Sequence, residues 1–230
     1  SSDVCSSDLT DDSSIRAALP TIEYLREQGG RVILMSHLGR PKDAPDPAFS
    51  LDPVAMRLGQ LLKTPVRKVN GLSGPGVIAA VDSMGPGDIL LLENSRFDPR
   101  EKKNDASLIR ELAVLGDVFV NDAFSAAHRA HVTTAGLAGV LPAVAGFQME
   151  KEIGALQSLM AEPKRPFVVV LGGAKVTDKI KVIDRFLDLA DRLLIGGAMS
   201  FAFLKAQGLP VGASKLEEEG VEVAASALQK

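Results

Sequence analysis

Short apolar runs that do not alternate with polar residues constrain this chain more than any other feature. RVILM at 31–35, ILLLE at 89–93 and FVVVL at 167–171 are strand-length and far too short to cross a membrane. A strand apolar at every position expects cover on both faces, as in parallel sheets wrapped by helices. DVFVN at 117–121, RLLI at 192–195 and a shorter run at 66–69 read as further strands. Between them lie segments with helical periodicity: 14–28, 52–62, 74–84, 106–115, 147–161, 178–189, 199–207 and 221–230. Pro20 predicts a kink or an irregular turn in the first of these, and Gly29-Gly30 end it. Strand and helix alternate throughout, which predicts an α/β fold of parallel sheets with right-handed crossovers. The Pro-rich stretch at 162–166 reads as a joint between two domains.

Composition disfavours several functions. The formal charge is −3, from 26 basic and 29 acidic residues, without the basic excess of a nucleic-acid binder. One Cys leaves no disulfide within the chain and no multi-Cys zinc site, so a reducing, cytoplasmic setting is expected. No Trp and one Tyr leave few platforms for stacking bases. Residues 1–9, SSDVCSSDL, have no periodicity and repeat SSD. They read as a non-native tail, without the basic and apolar regions of a signal peptide.

The informative polar residues fall immediately after strands, where open parallel sheets bind ligands. Ser36-His37-Leu38-Gly39-Arg40 follows the first strand, Asn94-Ser95-Arg96 the third, and a segment carrying His128, Arg129 and His131 the fourth. Convergence of His37, Arg40, Arg96 and Arg129 would require an anion, since the cations would otherwise repel. Dispersed, the same arginines are ordinary surface charges. The i, i+3 pair His128 and His131 lacks the other donors of a metal site, and no metal site is expected. Further along, Gly172-Gly173-Ala174-Lys175 and Ile195-Gly196-Gly197-Ala198 each follow a strand. Such loops allow close approach of phosphate to backbone, although neither is a Walker A loop. Lys175 and Lys179 would share a helical face if that helix begins early.

Eight blocks in order resemble the phosphoglycerate kinase family: IRAALPTI (15–22), SHLGRP (36–41), LLENSRF (91–97), VNDAF (120–124), AHRAH (127–131), MEKE (149–152), LGGAKVTDKI (171–180) and IGGAMSFAFLK (195–205). Ser125-Ala126 stands where many members have Gly-Thr, and Ala198 where many have a third Gly. The resemblance implies two Rossmann-like domains with parallel sheets, joined by a helix and hinge, the second incomplete. A substrate domain would cover 10–146, a connecting helix 147–162, and the start of a nucleotide domain 163–230. It implies a kinase that transfers phosphoryl between ATP and 3-phosphoglycerate, giving ADP and 1,3-bisphosphoglycerate, with Mg²⁺ carried by the nucleotide. Arg16, His37, Leu38, Gly39, Arg40, Arg96 and Arg129 would bind phosphoglycerate. Gly172, Gly173, Lys179, Gly196 and Gly197 would approach the nucleotide, and Lys175 would act in catalysis. A cytoplasmic monomer is implied, with neither nucleic acid nor membrane as partner. The family's first strand and later nucleotide-domain segments have no counterpart here, which predicts an inactive fragment. The competing expectation is a non-catalytic anion-binding α/β module.

Overall fold

The computed structural model describes residues 11–42 and 44–230; the tail expectation for 1–9 lies outside them. The chain divides into two compact units, one ending at Gly154 and the other Ala155–Lys230.

The first unit is built around β3 (Ile89–Leu91), which pairs in parallel with β1 (Val32–Leu34) on one side and β2 (Arg67–Lys68) on the other. Ile89 through Leu92 are all at most 2% exposed, as two-sided cover requires. Ile89 faces Ile22, Leu58 and Leu62, which come from α1 (Ser13–Glu27) and α2 (Asp52–Leu62). Leu90 and Leu92 face the opposite way, into a core shared with α3 (Pro75–Asp82) and, after a short α4 (Pro99–Lys102), α5 (Ala106–Ala113). This is a helix–sheet–helix sandwich. A separate parallel pair, β4 (Phe119–Asn121) with β5 (Ala143–Ala145), follows. Between its strands, residues 132–136 form a single π-helical turn. At the end of β4, Asp122 Oδ1 accepts the Gln148 and Met149 amides at 2.8 and 3.0 Å, capping α6 (Phe147–Ala161).

The second unit pairs β6 (Val168–Gly172) with β7 (Arg192–Gly196), again in parallel. A 3₁₀ turn at Thr177–Lys179 leads into α7 (Ile180–Leu189), and α8 (Ser200–Ala206) and α9 (Glu219–Ala227) complete the unit. Ile183, Met199, Phe203 and Ala224 pack with Leu171, Leu193 and Ile195 on one side of this sheet.

Three expectations are corrected. Helix α1 is continuous through Pro20, with no irregular turn there: the missing amide frees only the Arg16 carbonyl, on an exposed residue that water can satisfy. FVVVL is covered on one face only, with Val168, Val170 and Leu194 exposed. Strand β5 has no counterpart among the strands read from the sequence, because Ala-Val-Ala carries little apolar signal and all three residues are exposed.

Candidate functional site

The loops after β1, β3 and β4 carry the candidate anion ligands, and electrostatics shows which of them meet. His37 keeps exposed surface, yet its imidazole is held down at about 4 by the protein packed around it, then by Arg96, His131 and Arg129. Arg96 is lowered by burial and by its neighbours Arg129 and Arg40, against the opposing pull of Glu101. His37, Arg40, Arg96 and Arg129 therefore share one electropositive patch. Arg16 is placed differently: it is exposed and ion-paired to Asp12 at 2.9 Å, and Asp12 also holds Arg57 at 2.7 Å.

Local geometry shapes the patch. Gly39 has φ +64°, and a Cβ there would collide with the Phe49 ring, so both conformation and space favour glycine. Its carbonyl accepts from Arg96 Nη1 at 2.7 Å. The Leu38 side chain packs towards Leu51, Ala55 and Leu91, while its carbonyl accepts from Asn94 Nδ2 at 2.9 Å. The Arg129 carbonyl accepts from Thr134 Oγ1, and the Arg129 guanidinium donates to His128 at 3.2 Å.

Three participants were not singled out as ligands in the sequence. His131 lies in the same field, lowered by burial and then by Arg129 and Arg96. Glu101, 2% exposed, is raised by burial and bonded through both oxygens to Thr133. Asn94 is fully buried beneath Leu38 and Arg96. The signal for Asn94 is its place between a buried strand and Arg96. Glu101 shows none, since a Glu among charged residues normally reads as surface.

In the second unit, Gly172 and Gly196 are register partners. The loops leaving them touch backbone to backbone: Met199 N–H donates to the Gly173 carbonyl at 2.9 Å. Gly197 has φ +68°, and its Cβ would meet that carbonyl at 3.0 Å. The Lys179 side chain lies over Gly173, its Cε 2.9 Å from where a Cβ would stand. Lys175 is exposed and helps to lower Glu217. The two lysines do not share a helical face, because α7 begins only at Ile180. Glu217 takes the Val176 amide at 2.6 Å and bonds the Thr177 hydroxyl, which holds this segment as a turn. Among the described residues no three His, Cys, Asp or Glu side chains converge as metal ligands.

Residues 3–230 match the phosphoglycerate kinase family. The chain belongs to the phosphoglycerate kinase family. Phosphoglycerate kinase of Chloroflexus aggregans is 56% identical over 224 residues, 96% of this chain and 56% of that relative. That of Rubrobacter xylanophilus is 57% identical over 212 residues, 92% of this chain and 54% of the relative. The solved phosphoglycerate kinase of Coxiella burnetii superimposes with TM-score 0.82 at 39% identity, covering 96% of this chain and 55% of that one. The Pyrococcus horikoshii OT3 enzyme gives 0.82 at 32% identity, covering 97% and 58%. The chain thus spans just over half the length of the phosphoglycerate kinases it matches. The α/β architecture with parallel strands is the one the sequence resemblance implies.

Proposed function

We propose that this chain carries the phosphoglycerate-binding site and the first nucleotide loops of a kinase that moves a phosphoryl group between ATP and 3-phosphoglycerate. The observation that carries this reading is the convergence of His37, Arg40, Arg96 and Arg129 at strand ends. Such a patch is self-repelling until an anion enters. Phosphoglycerate offers a phosphate and a carboxylate, both suited to the planar forks of arginine.

Phosphoryl transfer needs positioning and charge neutralisation, not a covalent protein nucleophile. In this reading Arg40, Arg96 and Arg129 fix the phosphoglycerate, with Arg16 and the Leu38–Gly39 backbone as further contacts. Gly172, Gly173, Gly196 and Gly197 let the nucleotide phosphates approach the main chain, and Lys179 neutralises them. Lys175 stabilises the phosphoryl group in transfer. Magnesium travels with the nucleotide and shields its phosphate charge; no protein ligand to it is assigned. The chain is proposed to be a cytoplasmic monomer. Among the described residues no helix is long and apolar enough to cross a membrane.

Calorimetric titration of 3-phosphoglycerate into the 230-residue chain, beside Arg40→Ala, tests the site. Saturable heat that the variant loses supports it. Equal affinity for inorganic phosphate would instead indicate a non-catalytic anion-binding module, and no binding would remove the substrate assignment.

A further inference from the structure

We propose that Asn94 is a positioning residue: its buried amide sets the Leu38–Gly39 backbone and Arg96 in register, and so assembles the anion site. Asn94 is 0% exposed. Its Nδ2 donates to both the Leu38 and the Phe49 carbonyls at 2.9 Å, and its Oδ1 accepts from the Arg96 amide at 3.1 Å. Two carbonyls on one side and an amide on the other fix which way the side chain points. One planar group therefore joins the loop after β1, the turn at Pro47–Phe49 and the turn after β3. Arg96 closes the ring by donating to the Gly39 carbonyl at 2.7 Å. His37 and Arg40 flank the two residues so held.

Asn94 is itself anchored from behind. Glu93 accepts the Asn94 amide at 2.8 Å and the Leu51 amide at 3.0 Å. Its other oxygen pairs with Lys68 at 2.6 Å, and the Lys68 side chain is 7% exposed. Burial opposes the charge on Lys68, but Glu93 and Asp52 outweigh it and hold the ammonium above its ordinary range. This ion pair links β2 to the end of β3, so Asn94 stands on a rigid base. A buried amide with its bonds made specifies one geometry, because any shift strands a donor or acceptor.

The proposal rests on the anion-site reading for its ligand but not for its geometry, and two readouts separate the two. The first is the affinity of the full chain for 3-phosphoglycerate. The second is the His37 titration by NMR, which needs no ligand and reports first how closely the protein packs around the imidazole and then the proximity of Arg96, His131 and Arg129. Asn94→Ala is expected to weaken binding about tenfold or more, the equivalent of one lost buried hydrogen bond. It should also move His37 from about 4 towards 6.5. Leu62→Ala, in the core around Ile22 and Ile89, should lower stability and change neither readout. If Asn94→Ala does not fold, Asn94→Ser, whose hydroxyl can donate to one of the two carbonyls, should show the same changes at smaller size. An Asn94 variant with wild-type affinity and wild-type His37 titration would overturn the proposal, leaving Asn94 a purely structural amide. If the wild-type chain binds no 3-phosphoglycerate, the ligand assignment fails, and the His37 titration alone decides the positioning role.

Discussion

His37 is uncharged at a pH where an ordinary histidine is beginning to protonate. Its folded value is about 4 against 6.5 for the free side chain. Between those values the unfolded chain binds a proton that the folded chain does not, so stability is full above 6.5 and falls with pH. His131 acts in the same direction; Glu101, raised by burial, opposes it. Urea midpoints measured between pH 6.5 and 5 should therefore decline, and less steeply in His37→Gln. Addition of 3-phosphoglycerate should raise the His37 value, because a bound anion favours imidazolium. At Gly39, Ala would meet both a left-handed backbone and the Phe49 ring. Gly39→Ala should destabilise by about 1–2 kcal/mol from the backbone alone, read from denaturant unfolding, and should weaken phosphoglycerate binding by displacing the carbonyl that Arg96 holds.

At the scale of elements, what the sequence made legible followed from burial. β3 was readable because every residue in it is apolar, and α2 because its periodicity and Asp52-Pro53 start mark both face and boundary. Elements stabilised by specific polar contacts were not readable. β5 is too short and small to stand out. The π-helical turn at 132–136 is stabilised by the hydrogen bonds between Thr133 and Glu101 and between Thr134 and Arg129, partners far apart or unremarkable in sequence. The same holds for the proposed anion site: its arginines were visible at strand ends, and Asn94 by its place between a buried strand and Arg96, whereas Glu101 has no signature until the fold surrounds it. The late start of α7 has this origin too, since the Glu217 that caps Val176 and Thr177 lies 40 residues downstream. Glu217→Ala should speed hydrogen exchange at the Val176 and Thr177 amides and lower the affinity for ATP. Wild-type exchange at both amides would show that Glu217 does not hold the loop.

The two units of the molecule each have a core of their own, but their sheets differ in cover. Around β3 helices lie on both faces; on the β6–β7 pair the outward Val170 is 72% exposed and Leu194 52%. A contiguous apolar sheet face in water attracts other apolar surfaces. The chain should bind a hydrophobic dye, and Val170→Lys should reduce that binding. Unchanged dye binding in that variant would place the accessible apolar surface elsewhere. The strand order of the first unit has a different consequence, one that belongs to synthesis. β1 and β2 both pair with β3 and not with each other, and Val32 meets Ile89. As the chain leaves the ribosome, β1 must wait, its apolar edge unsatisfied, until β3 has emerged. During that interval the nascent chain most needs shielding by chaperones, and slow translation through β3 would prolong it.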